Sequence, residues 1–360
     1  MKICFFGVYN ANYSRNEILL SGLKAAGVEV IECKTDWKDP KRYSKLWKSL
    51  RALNGDYDFV YAAYPAPIPA IIAKFASRKP VVCDAFYSMF DSVVNDRREV
   101  KWWHPKALKL LMLDWLSVFL SDIVITDTDA HKKYWSGWWG INASKIYPVY
   151  LGVNDKIFFP KEASGINQEK FLVHFHGTYI PLQGVDKIIE AAALCLDNKK
   201  IQFRFIGSGA GLEEAKNLAK KLDTTNIEFV ERRVSLSDLN SYMSESQASL
   251  GIFGDTKKAK RVIPNKVYEG LAAGQPMVTM DTPAIREIFS GKDMVLVKNE
   301  PQEIANAIKN LASNEKMRRD LARNGHEEVS KYFPISAANS LIKILKERKS
   351  KNSYLENTAI

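Results

Sequence analysis

Lys266 and Glu269 stand three residues apart in PNKVYEGLAAGQPMVTMD, Pro264 to Asp281. On a helix this spacing puts both side chains on one face, near the helix start. A helix start favours an anion, because its free N–H groups and the positive end of its dipole point outward. A lysine there can meet a phosphate, and a glutamate one turn on can accept hydrogen bonds from sugar hydroxyls. The plainer alternative is a surface helix with an exposed salt bridge, and spacing alone leaves both open. Pro264 suits a first turn. Val267 and Leu271 share an inward face. Gly274 suits a left-handed cap, and Pro276 stops the helix before the apolar strand PMVTMD.

The stretch resembles the donor-site helix of glycosyltransferase family 4, which runs roughly P-x-K-x-x-E-x-x-A-x-G-x-P-V-V. The resemblance implies that Glu269 holds the ribose of a nucleotide sugar. FLVHFHGTYIPLQGVDKIIEAA, Phe171 to Ala192, reads as a strand, a loop and a helix start. Gly177 would allow close backbone approach, Gly184 would open the helix, and a diphosphate could sit against these amides. An ordinary strand-to-helix turn is the alternative. The segment is similar to the family's G-R-x-x-x-x-K-G loop, with Thr178 at the arginine position and Gln183 at the lysine position. Both usual phosphate cations are therefore absent. Lys266, Arg261, Arg232 and Arg233 are the available replacements, Lys266 foremost. Arg261 also stands where the family often has a second glutamate aimed at the donor sugar, and Asp255 is the nearest upstream acid. A solvated loop charge is the other reading of Arg261. The donor contacts expected are Gly177, Thr178, Gln183, Gly184, Arg261, Asn265, Lys266 and Glu269, with no metal and no other cofactor.

In the first half, FGVYNANYSRNE is similar to the family's N-terminal loop, which places Gly7, Arg15 and Asn16 on the acceptor side, where Arg15 and Asn16 could contact an acceptor or a phosphate; a helix start in solvent is the alternative. DAFYSMFDS ends a strand, so Asp84, Ser88 and Asp91 would point into a cleft, where a carboxylate could orient an acceptor hydroxyl; they could equally cap a turn. His176 and His131 are candidates to face the sugar, although a lone histidine is more often structural. Asp84, Asp91 and His176 are thus the expected catalytic residues. Asp127-Thr128-Asp129 has the D-x-D form of metal-dependent transferases, but at the end of a strand it reads as a helix cap. GSGAG, Gly207 to Gly211, lacks the G-x-G-x-x-G spacing of a dinucleotide fingerprint.

Positioning these residues requires a particular frame. Apolar runs alternate with helical stretches from end to end, and the runs are apolar throughout, as in strands covered on both faces. That predicts an α/β protein with parallel sheets. With 360 residues there is room for two domains, since single cores stop growing near ~250–300 residues. The resemblance implies the GT-B architecture, two Rossmann-like doubly wound domains facing across a cleft. We expect an acceptor-binding domain over residues 1–155, a donor-binding domain over 156–332, a helix over 333–350 returning to the first domain, and a disordered tail over 351–360.

The net charge, 52 − 41 = +11, suits acidic partners without choosing among them. Two basic, aromatic stretches, KRYSKLWKSLRAL and RREVKWWHPKALK, suit an anionic bilayer surface. The first reads equally as a sheet-covering helix; the second is harder to place in a core. No nucleic-acid motif is present. Cys4, Cys33, Cys83 and Cys195 each lie in an apolar stretch, so buried reduced thiols are expected. The strand-like start KICFFG predicts no signal peptide, and no apolar run reaches the ~20 residues of a bilayer span. These features predict a cytoplasmic enzyme, at most peripheral on the inner membrane face. The resemblance implies that its reaction is retaining transfer of a sugar from a nucleotide sugar to an acceptor hydroxyl, and the basic tryptophan segments point to a glycan or lipid-linked acceptor, in cell-surface glycan or polysaccharide biosynthesis. A nucleotide-sugar epimerase on the same fold and a non-catalytic nucleotide-binding or membrane-surface protein are the alternatives.

Overall fold

The run KICFFG forms β1 (Lys2–Gly7), followed by α1 (Ser14–Ala25), in a computed structural model that describes residues 1–161 and 169–358. The alternation continues through β2 (Glu29–Lys34), α2 (Arg42–Ala52), β3 (Phe59–Ala62), α3 (Pro67–Ala76), β4 (Val81–Asp84), α4 (Pro105–Leu120), β5 (Ile123–Thr126), α5 (Asp129–Ser136) and β6 (Ile146–Pro148). These strands pair in parallel in the order β2-β1-β3-β4-β5-β6. Strands β3, β4 and β5 are buried along their whole length, as apolar runs covered by helices on both faces must be.

A second sheet has the order β12-β11-β10-β7-β8-β9, again parallel. It comprises β7 (Phe171–Gly177), β8 (Ile201–Gly207), β9 (Ile227–Val230), β10 (Ala248–Leu250), β11 (Met277–Met280) and β12 (Val295–Val297). The helices between and after these strands are α6 (Val185–Ala193), α7 (Leu212–Lys221), α8 (Leu236–Ser244), α9 (Asn265–Ala272), α10 (Pro301–Ser313) and α11 (Glu315–Ser330). Phe175, Phe203 and Phe205 centre its core.

The chain divides into two units between Gly152 and Val153. Residues Asn95–Arg98 group with the second unit, and the chain from Tyr332 groups with the first. The last helix, α12 (Pro334–Thr358), lies along α1, where a Cβ on Gly22 would collide with the Pro334 carbonyl. Leu341 and Leu345 are buried, Arg348 donates to the Tyr147 hydroxyl at 3.1 Å, and Lys349 pairs with Asp58 at 2.7 Å. The helix runs past residue 350, where the sequence pattern ends it, to Thr358, which corrects the expectation of a disordered tail from 351. Residues 359–360 of the expected tail, and 162–168 of the expected donor-binding domain, lie outside the described residues. All four cysteines are buried free thiols.

Candidate active site

Helix α9 begins after Pro264, whose extended backbone makes it the cap rather than the first helical residue. It ends in a Schellman turn: Gly274, at φ +72°, donates to the Leu271 carbonyl at 3.0 Å, and Gln275 donates to Gly270 at 2.9 Å. Residues Lys266 through Ala272 are all buried, which rules out the exposed salt-bridge reading. The Lys266 Nζ lies 4.1 Å from the centre of the Phe175 ring and makes no hydrogen bond among the described residues. Glu269 Oε2 lies 3.0 Å from His176 Nε2, and His176 Nδ1 lies 3.0 Å from His174 Nε2. No ion pair joins Lys266 to Glu269 among the described residues.

A buried ammonium facing only an aromatic ring is costly, since cation–π attraction recovers part of the lost hydration at most. Burial accordingly pulls Lys266 from 10.5 down to about 7, with the Glu269 charge acting the other way. Burial likewise pushes Glu269 from 4.5 up to about 7, opposed by Lys266. Both histidines are held well below their usual value by burial, His176 also by Lys266 and His174 by its neighbour and Lys266. His176 therefore meets Glu269 as a neutral imidazole, through a hydrogen bond rather than an ion pair.

A pH dependence follows. Between 4.5 and about 7 folded Glu269 keeps a proton that the unfolded chain releases, so its contribution to stability falls as pH rises. Between about 7 and 10.5 the unfolded chain keeps a proton that folded Lys266 has lost, so stability rises with pH. Denaturant titrations of the ligand-free protein across this range should show a minimum near pH 7 that is absent from a Lys266→Met/Glu269→Gln double variant. Identical curves for the two proteins would contradict this account.

The loop after β7 is held by its own glutamine. Gln183 Oε1 accepts from the amides of Thr178 and Tyr179 at 3.0 and 2.9 Å. Those amides are thus satisfied internally, which corrects the expectation that a diphosphate finds them free. The close approach at Gly177 is to the Gln183 side chain. Gly184 is required on two counts: its φ is +60°, and a Cβ there would collide with the Phe253 carbonyl. Gly207, from GSGAG, is required because a Cβ would strike the Gly177 carbonyl, so the β7 and β8 loops stack backbone to backbone. Asn265 is half-buried in the first turn of α9, and Arg261 is half-buried in the turn before it. Asp255 pairs with Lys187 and accepts from Asn299, both at 2.8 Å. Arg232 and Arg233 line a groove of about 440 Å³ with Asp238, Tyr242 and Glu245, to which no α9 residue contributes.

In the first unit the expected acceptor residues are structural. Asp84 and Arg15 are both 0% exposed, and Arg15 Nη2 donates to Asp84 Oδ1 at 2.9 Å. The Tyr61 hydroxyl donates to Asp84 Oδ2 at 2.7 Å, and Arg15 Nη1 donates to the Val149 carbonyl at 3.0 Å. This corrects the reading of Asp84 as a cleft carboxylate and Arg15 as an acceptor contact: a charge at that depth needs its counterion. Asn16 is buried too, and donates to the carbonyls of Asn10 and Tyr64. The Ser88 hydroxyl donates to Asp114 Oδ2 at 2.7 Å and accepts from the Asp91 amide at 3.0 Å, and Asp91 is itself buried. Gly7 closes β1, and its carbonyl accepts from Thr35. Asp127 binds His131 Nδ1 at 2.7 Å, and Thr128 caps α5, as the helix-cap reading of D-x-D requires.

Sequence reasoning missed His174, Tyr61 and Asp114. His174 and His176 are two apart in a strand and so share a face, a signal that was available. Nothing local marks Tyr61 or Asp114, because their partners come from other elements.

The comparisons with known proteins bear on this geometry. Residues 157–328 match the family model described as glycosyl transferases group 1. The structure of Anabaena HepE in complex with UDP and glucose superimposes with a TM-score of 0.73 at 17% identity, over 96% of this chain and 99% of that one. The fold is GT-B. An uncharacterised glycosyltransferase of Methanocaldococcus jannaschii is 26% identical over 194 residues, 51% of this chain and 48% of its own. A GDP-mannose-dependent alpha-(1-6)-phosphatidylinositol dimannoside mannosyltransferase of Mycobacterium tuberculosis is 27% identical over 201 residues, 52% of this chain and 49% of its own. The chain thus spans about half the length of these curated relatives. The GT-B unit that matches the glycosyltransferase model is the one that holds Lys266 and Glu269.

Proposed function

We propose that the chain is a family 4-like glycosyltransferase that moves a sugar from a nucleoside-diphosphate sugar to an acceptor hydroxyl, with retention and without a metal. The observation that carries this reading is the buried Lys266 ammonium beside Glu269, without a hydrogen-bond partner among the described residues, in a unit that matches a glycosyltransferase model. Such a cation is stabilised by an anion, and the donor's diphosphate supplies one. Glu269, an acceptor when ionised, takes the ribose hydroxyls. Electrostatic stabilisation of the departing diphosphate then lowers the barrier, and Lys266 serves in place of the cations absent at Thr178 and Gln183. One relative is GDP-mannose-dependent and the HepE structure is a complex with UDP and glucose, which supports a nucleotide-sugar donor and leaves the base open.

The decisive experiment is a panel of UDP- and GDP-sugars screened by thermal shift, then incubated with and without lipid-linked and glycan acceptors, with and without EDTA. Acceptor-dependent glycoside with the donor's anomeric configuration, formed equally in EDTA, supports the proposal. Conversion of the free nucleotide sugar without acceptor identifies an epimerase. Absence of binding across the panel overturns the reading.

A lipid-linked acceptor at an anionic, cytoplasmic membrane face fits the outer side of α4. No helix among the described residues is long and apolar enough to cross a membrane. On α4, however, Leu108, Met112 and Phe119 are exposed at intervals of four and seven residues, one stripe of the helix. Trp139, 84% exposed, stacks by Trp115, which stacks on Phe119. Trp102 and Trp103 are exposed before the helix, and Lys101, Lys106 and Lys109 are exposed among them. The sole acid from Lys101 to Ser121 is Asp114, which is buried. A second copy docked here would set these lysines against each other, whereas anionic headgroups neutralise them. The first basic stretch differs: α2 buries Leu46 and Leu50 and is a sheet-covering helix. Leu108→Glu/Met112→Glu should weaken partitioning onto phosphatidylglycerol vesicles by roughly tenfold or more, leaving nucleotide binding unchanged. Equal co-sedimentation of variant and wild type would remove the membrane from the proposal.

A further inference from the structure

The polar chain behind Glu269 carries more than a hydrogen bond. His174 is 0% exposed on β7, its Nε2 lies 3.0 Å from His176 Nδ1, and its own Nδ1 is buried with no hydrogen-bond partner among the described residues. His176 Nε2 in turn lies 3.0 Å from Glu269 Oε2. A neutral imidazole has one N–H, so protons can be placed along this chain in only two ways. In the first, His174 Nε2–H donates to His176 Nδ1, and His176 Nε2–H donates to an ionised Glu269. The atom left bare is then the His174 Nδ1 lone pair. In the second, a protonated Glu269 donates to His176 Nε2, and His176 Nδ1–H donates to His174 Nε2. His174 Nδ1 must then carry a buried N–H with nothing to accept it. An orphaned buried donor is rarer and costlier than an under-used acceptor. The Lys266 cation, which acts electrostatically on both histidines, also favours the ionised carboxyl.

We infer that His174 is a positioning residue: through His176 it selects the tautomer that donates to Glu269, and so holds Glu269 as an acceptor-only carboxylate facing the donor's hydroxyls. The role assigned to His174 rests on the proposed donor site, whereas the tautomer is a property of the free protein. The orientation of the chain makes the bare Nδ1 of His174 useful, because a partner for that atom would let the other proton arrangement compete.

The test has two arms. In ligand-free protein labelled with ¹⁵N in its histidines and held at pH 8, above the point near 7 at which Glu269 loses its proton, His176 should show an unprotonated Nδ1 and a protonated Nε2. The opposite tautomer, or an imidazolium, overturns the inference whether or not any nucleotide binds. In the second arm UDP and GDP are titrated from pH 6 to 9 into wild type, His174→Phe and His174→Gln. His174→Phe lacks the donor, so His176 is free to turn its lone pair to a protonated Glu269. Affinity should fall by about tenfold at pH 7.5, where wild-type Glu269 has ionised, and recover as the variant's Glu269 ionises at higher pH. His174→Gln, whose amide can reach the place of Nε2, should restore the wild-type profile. A His174→Phe protein that is folded by circular dichroism and binds nucleotide with the wild-type pH profile sinks the positioning role. If wild type binds neither nucleotide, the donor-site reading fails, and the ¹⁵N measurement alone still decides the relay.

Discussion

Lys266→Met should bind nucleoside diphosphate about a hundredfold more weakly than wild type and yet be the more stable protein when no ligand is present. Both effects have one cause. The wild-type ammonium is buried over Phe175 with no hydrogen-bond acceptor among the described residues, so it costs folding energy while the site is empty. Methionine matches much of the volume of the lysine stem and brings no charge, so its packing against Phe175 persists. We expect a gain of about 1–3 kcal/mol in ligand-free stability, read as a higher denaturant midpoint at pH 6, where wild-type Lys266 is charged. Binding moves the other way. A charge-assisted contact to a diphosphate in a desolvated site is worth roughly 2–5 kcal/mol when one partner is removed, which brackets the hundredfold loss. Calorimetric titration with UDP and GDP measures the second effect. A variant that loses stability and keeps its affinity would show that Lys266 is a packing residue and that phosphate is held elsewhere.

Asp84→Ala should destabilise the first unit by about 3–5 kcal/mol, with nucleotide binding by the second unit unchanged. The loss is not that of one contact. Arg15 would be left as a fully buried guanidinium without its carboxylate partner, against the Val149 carbonyl and the Phe86 ring. Replacing both partners, Arg15→Met with Asp84→Leu, should recover much of that loss, because a buried pair exchanged for apolar groups of similar size is often near neutral. Urea unfolding of the single and double variants decides the point. Should Asp84→Ala unfold like wild type while glycosyl transfer collapses, the catalytic role expected from its place at a strand end would be restored.

Much of the frame was legible in the chain. Uniformly apolar runs of four to seven residues, each followed by a helical period, can only be strands covered on both sides, and such strands pair in parallel. Helix α9 was readable almost to the residue, because Pro264, Gly274 and Pro276 act through local backbone geometry that needs no distant partner. Arg15 and Asp84 were misjudged for the opposite reason. They are 69 positions apart, and only pairing of β1 with β3 and of β3 with β4 brings the helix after β1 against the end of β4. Gln183 looked like a missing lysine; its hydrogen bonds to the amides of Thr178 and Tyr179 exist only once the loop has closed.

By itself the sequence determined where the chain is extended and where it is helical, and that Lys266 and Glu269 share one face of a short helix, since those properties are set by residues within a turn or two of each other. Only the tertiary structure decided that this face is buried against β7, that the lysine meets an aromatic ring and, among the described residues, no hydrogen-bond acceptor, and that the glutamate ends a chain of two imidazoles. Burial and electrostatic partnership are sums over neighbours distant in sequence, and no local pattern contains them.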